Sequence, residues 1–103
     1  MIIRVFKATV KPGARKEFEN FFLYEAIPFI KVQEGLIEVT TGKPIDRDSN
    51  EYVMVTVWKD IDSVTRFMDN HWNTSKVLRG ESGYLETSSV EHYEVMGEEK
   101  LVY

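Results

Sequence analysis

EYVMVTVWKD, Glu51 to Asp60, reads as a β-strand with apolar side chains on both faces. Alternation puts Val53, Val55 and Val57 on one face and Tyr52, Met54, Thr56 and Trp58 on the other. A strand in a small isolated sheet ordinarily keeps one wet face, so two apolar faces need two partners. The expected partners are the chain's own helices and a second copy of the chain, with any functional space enclosed between the copies.

Outward from this strand, Ile2 to Val10 is a first strand, rich in Ile, Val, Phe and Thr and stopped by Lys11-Pro12-Gly13. One of its faces carries Ile2, Arg4, Phe6, Ala8 and Val10, the other Ile3, Val5, Lys7 and Thr9. A helix then runs to about Ala26, with Ala14, Phe18, Phe21, Phe22 and Ala26 at helical spacing and Arg15, Lys16, Glu17 and Glu19 on the wet side. Pro28 is expected to interrupt it, a short second turn to pass through Phe29 and Ile30, and Gly35 to form a left-handed cap. Leu36 to Thr41 is the next strand, joined to Tyr52–Lys59 through a polar turn cluster. Asp60 or Asp62 caps a second helix with an apolar stripe of Val64, Phe67 and Met68. A helical turn over Thr74 to Leu78, irregular chain over Gly80 to Ser88 and a last strand over Ser89 to Met96 complete the pattern, before a loose tail at 97–103.

This order predicts an α+β fold of the ferredoxin-like βαββαβ type, a four-stranded antiparallel sheet with both helices on one face. On that reading Phe6, Val10, Met54 and Trp58 occupy the side away from the helices. Leaving such side chains wet forfeits about 1.5 to 3 kcal/mol each, which a two-fold homodimer recovers.

Composition narrows the function classes. A chain of 103 residues is read as one domain over 1–103, able to build a core without disulfides or a structural metal. It has no cysteine, which removes thiolate chemistry and zinc-finger spacing. With 13 Lys plus Arg against 17 Asp plus Glu, net charge −4, neither nucleic acid nor an anionic membrane is an expected partner. Arg4 and Lys7 interrupt the apolar start, so no signal peptide or membrane span is read and a cytoplasmic protein is expected. Asp46, Asp48 and Asn50 imitate half a calcium loop, but Glu51 stands where glycine is needed and Val57 where the bidentate Glu belongs, so no metal site is expected.

Val10-Lys11-Pro12-Gly13 closing the first strand, Phe18 in the first helix, Glu34-Gly35 before the second strand, and Val57-Trp58-Lys59 followed by a helix with Phe67 together carry a resemblance. The chain resembles the antibiotic biosynthesis monooxygenase (ABM) family of the dimeric α+β barrel superfamily, over Ile2 to Met96. The resemblance implies a homodimer and a small apolar or aromatic substrate oxidised in the barrel cavity without metal or flavin. The family also includes haem-degrading monooxygenases. Where that branch places an Asn, a Trp and a ligand His, this sequence has Phe6, Phe67 and about Val77. Where aromatic-polyketide oxygenases place an Asn four residues before the strand-end Trp, it has Met54, and Trp58 alone is kept. Some quinol oxygenases carry a His about fourteen residues after that Trp; His71 lies at thirteen and Trp72 at fourteen.

His71, Arg4 and His92 are therefore the candidate catalytic residues, and Phe6, Met54, Trp58, Phe67 and Trp72 the candidate pocket. A histidine near its ordinary pKa can take a phenolic proton at neutral pH, and a guanidinium can hold the resulting anion. The bland readings stay open beside these: Trp58 as core, His71 as a solvated residue after the second helix, and His92 with Arg4 as a surface pair. Two alternatives to the oxygenase also stay open, a haem-binding or haem-degrading protein with His71 or His92 as a displaced ligand, and a non-catalytic dimeric module binding an apolar molecule.

Overall fold

In the computed structural model, residues 1–70 and 83–99 are described. β1 (Ile2–Val10) leads into α1 (Arg15–Phe21), which runs on through a π-helical turn at Phe22–Ala26 into α2 (Ile27–Ile30). β2 (Leu36–Gly42), β3 (Glu51–Trp58), α3 (Ile61–Asn70) and β4 (Leu85–Glu94) follow. The sheet is antiparallel with order β2-β3-β1-β4, the expected ferredoxin-like arrangement with the helices on one side.

The expected interruption at Pro28 is a widened turn within continuous helix. Pro28 has no N–H to bond the Tyr24 carbonyl, and just before it the Ile27 N–H reaches back five residues to the Phe22 C=O. Buried Phe18, Phe22, Ala26 and Ile30 recur every four residues, a spacing that drifts off one face of a 3.6-residue helix. The wide turn absorbs that drift and keeps all four on the sheet. Gly35 then turns the chain at φ +87°, and α3 starts on a cap in which Asp60 Oδ1 accepts the Ser63 N–H at 2.8 Å and the Ser63 hydroxyl at 2.7 Å. The last strand begins at Leu85, four residues before the expected Ser89, because Thr87 and Ser88 pair with Thr9 and Ala8 despite their polar character. The expected turn over Thr74 to Leu78 lies outside the described residues.

The assignment of the two faces of the sheet is the main correction. Phe6, Ala8, Val10, Tyr52, Met54 and Trp58 are buried against the helices, with Phe18, Phe21, Phe22, Ala26, Ile30, Val64 and Phe67 as their counterparts. Phe6, Val10, Met54 and Trp58 are thus core of a single chain, not the side left bare. The bare face is the other alternation, where Val55 pairs Val5 and Thr40 while Val57 pairs Ile3 and Glu38. Size decides between the two: bulky Phe, Tyr, Met and Trp fill the depth under a helix layer, whereas valines make a low ridge suited to another sheet. No helix among the described residues is long and apolar enough to cross a membrane.

Candidate functional site

β1 alternation sets Arg4 between Ile2 and Phe6 on the helix side, and pairing with β3 brings Thr56 beside Arg4, Met54 beside Phe6 and Trp58 beside Ile2. The Asp60 cap fixes the start of α3, so Phe67, two turns along, comes down onto the same place. Its ring lies 4.8 Å from that of Trp58, tilted 33°, and the Arg4 guanidinium carbon is 5.6 Å from the Phe67 ring centre. The Trp58 indole N–H donates to Thr56 Oγ1 at 2.8 Å, and the Thr56 hydroxyl in turn makes a long 3.5 Å contact with the Arg4 carbonyl. The indole is satisfied inside its own chain, which makes Trp58 core.

Arg4 is 1% exposed and Trp58 0%. A guanidinium does not neutralise itself on burial, so the fold holds a fixed positive charge beneath an aromatic lid. Cation–π contact with Phe67 offsets part of the desolvation. His92 is the cross-strand partner of Arg4 on β4, on the same face of the sheet. It is largely exposed on the edge strand, yet partial burial of its ring and, second, the Arg4 charge lower its pKa from the ordinary 6.5. At neutral pH His92 is therefore a neutral acceptor next to a cation.

Five predicted residues thus meet on one face, Arg4, Phe6, Met54, Trp58 and Phe67, with His92 beside Arg4 on the neighbouring strand. The face they share lies between sheet and helices of a single chain, not on the side left bare. His71 and Trp72 lie outside the described residues, as does Val77. Among the described residues no group of three His, Asp or Glu side chains is placed to hold a metal. Phe6, Trp58 and Phe67 pack with at most 3% exposure, and His92 sits on the neighbouring edge strand. The calcium-like Asp46 instead makes a local turn, its Oδ1 accepting the Asp48 N–H at 2.9 Å.

A second polar constellation was not foreseen. The buried Tyr52 hydroxyl donates to Glu19 Oε2 at 2.5 Å and accepts the Arg15 Nε–H at 3.1 Å, with the Phe18 ring edge-on at 5.1 Å. Burial and then the Glu19 bond push the Tyr52 phenol above its usual pKa. It borders a cavity of about 310 Å³ that Phe22, Leu23, Thr41 and Lys43 also line. Tyr52 is four residues along β3 from Thr56, about 13 Å from the Arg4 cluster at strand spacing. The signal was present in Arg15 and Glu19, four apart on α1, but their partner sat in a strand where Tyr52 counted only as an apolar side chain.

A family model described as antibiotic biosynthesis monooxygenase matches residues 1–71. SnoaB, a cofactor-independent oxygenase from Streptomyces nogalater, superposes with TM-score 0.77 at 26% identity, covering 94% of this chain and 94% of that one. A conserved protein from Methanosarcina mazei superposes at 0.72 with 24% identity over 90% and 91% of the two chains. MhuD, solved with two manganese protoporphyrin IX molecules per active site, superposes at 0.77 with 16% identity over 97% and 99%, a likeness of fold. No curated protein sequence matches the chain.

Proposed function

The chain belongs to the antibiotic biosynthesis monooxygenase family, and from that premise we propose that it is a homodimeric, cofactor-independent oxygenase of a small phenolic or quinol-like aromatic substrate. The observation that carries this reading is the Arg4 guanidinium, 1% exposed and 5.6 Å from the Phe67 ring, on the aromatic face it shares with Trp58. A fixed cation in dry surroundings stabilises an oxyanion far more than the same cation does in water. SnoaB, at 26% identity, supports chemistry without a cofactor.

In this mechanism His92 takes the phenolic proton and Arg4 holds the phenolate, lowering the cost of ionising the substrate at neutral pH. The phenolate gives one electron to dioxygen, and the resulting superoxide and substrate radical combine at the ring carbon para to the phenolic oxygen, an sp² carbon that bears one hydrogen and becomes tetrahedral as the phenolic C–O becomes a carbonyl. The new peroxide oxygen takes its proton back from His92. Loss of water then leaves a carbonyl: one oxygen atom stays on the carbon, the other departs with the proton His92 returned and the single hydrogen of that carbon. All four electrons reducing dioxygen come from the substrate. The aromatic wall of Phe67 and Trp58 contributes by excluding water from the anion.

The dimer is assigned to the bare valine face, whose apolar centre of Ile3, Val5, Val53, Val55 and Val57 is rimmed by Lys7, Glu38 and Glu91. Oxygen uptake against a panel of phenols, quinols and anthrone-like compounds tests the activity. Uptake is expected to fall by about 10² to 10³ in Arg4→Met, the size of losing one preorganised oxyanion donor. Absence of uptake across the panel, or uptake unchanged in Arg4→Met and His92→Ala, refutes the oxygenase and leaves a ligand-binding module.

A further inference from the structure

From a separate surface we propose a second ligand site, for a small free quaternary ammonium compound, in the groove of about 370 Å³ between the first helical segment and the turn before β4. Its described lining is Glu17, Asn20, Phe21, Tyr24, Glu25 and Tyr84: three aromatic rings, two carboxylates, an amide and no basic side chain. Asn20, Phe21, Tyr24 and Glu25 fall three, four, seven and eight residues along the helix from Glu17, hence on the same side of it. Tyr84 comes from the opposite bank. Its backbone is fixed there by the Lys11 N–H, which donates to the Tyr84 carbonyl at 2.8 Å.

The rings of Phe21, 5% exposed at the floor, and half-buried Tyr84 stand 6.4 Å apart at 52°, forming a corner rather than a stack, and Tyr24 is 73% exposed at the rim. A closed apolar contact does not leave a tyrosine so open. Aromatic walls meeting at an angle offer their negative π faces to a cation, and trimethylammonium groups are recognised in this way because their low hydration makes stripping water cheap. Glu17 and Glu25 supply the long-range negative potential that draws in a cation, and neither primary amines nor metal ions use the ring faces as well. The volume admits a choline-sized molecule. This site is independent of Arg4 and of the oxygenase reading.

The test is a nuclear magnetic resonance titration of the intact protein with choline, with tetramethylammonium, and with 3,3-dimethylbutanol, the neutral isostere of choline. Saturable shifts around Tyr24 and Tyr84 are expected with both cations in the millimolar range and at least several-fold weaker binding of the alcohol. Tyr24→Leu, an exposed change that leaves the core intact, is expected to weaken choline about 2- to 5-fold, while Tyr24→Phe retains it. Glu17→Gln with Glu25→Gln is expected to weaken choline further and to flatten its salt dependence. Equal binding of choline and its neutral isostere, or no saturable shift with either cation, overturns the proposal. A trimethyllysine peptide binding far more tightly than choline overturns the assignment to a small free molecule.

Discussion

Replacing Val55 with Asp separates the two faces of the sheet. Val55 lies at the middle of the bare face, paired to Val5 on one side and Thr40 on the other, and is half-buried within its own chain. Full burial of a valine is worth about 1.5 to 2 kcal/mol, so docking a second sheet recovers about 1 kcal/mol per copy. An aspartate loses that and must also enter the interface uncharged. Protonating a carboxyl of pKa near 3.9 at pH 7 costs about 4 kcal/mol. A two-fold axis doubles both terms, to about 10 kcal/mol per dimer, against the roughly 8 kcal/mol that holds a dimer of micromolar affinity. Light scattering coupled to size exclusion should show the wild type as a dimer and Val55→Asp as a monomer with an unchanged far-ultraviolet spectrum. Met54→Asp, one residue earlier, places its carboxylate at a site 1% exposed and should unfold the chain. A monomeric wild type, or a Val55→Asp protein still dimeric at micromolar concentration, refutes the assignment of this face.

Other consequences are as direct. Gly35→Ala should destabilise by about 3 kcal/mol, seen as a lower thermal midpoint, because a Cβ there sits 2.1 Å from Ser63 Oγ at φ +87°; adding Ser63→Gly should relieve the clash but not the backbone strain. Asp60 has its pKa lowered by the Ser63 hydroxyl and N–H, so its contribution is complete above the unfolded pKa and is lost as pH falls through the folded one. The stability gap between wild type and Asp60→Ala, measured by denaturation at several pH values, should therefore close in acid. If His92 is the base, activity should fall on its acid limb at a pKa below 6.5, and Arg4→Met should raise that limb part of the way, since burial is the larger cause of the shift. A limb unmoved by Arg4→Met in the residual activity would remove His92 from the proton transfer.

Much of the fold was legible because β1 and β3 obey a period of two without exception, and their partition into rows survives intact in the register of Arg4 with Thr56 and Phe6 with Met54. Period alone does not say which row meets the helices. That was decided by volume, and Phe6, Val10, Met54 and Trp58 were read as a face awaiting a second sheet when the bulk of Phe6, Met54 and Trp58 suited the deeper helix layer. The π turn was hidden for a related reason, since Pro28 signals a lost hydrogen bond but not how the chain compensates. Polar β4 was cut short because its serines and threonine carry no apolar alternation and are held by pairing with β1.

The site was partly legible through charge placement within one strand. Arg4 and Lys7 both interrupt an apolar β1, three residues apart and therefore on opposite faces. Lys7 ends exposed at the rim of the bare face, the ordinary fate of a strand cation. Arg4 falls in the row of Phe6 and Val10 and is 1% exposed. A buried charge is poor value for stability, because an apolar residue of similar volume does as well or better. Its placement in the most apolar row of the sheet, beneath Phe67 and beside His92, is the feature on which the proposed binding of a substrate anion depends.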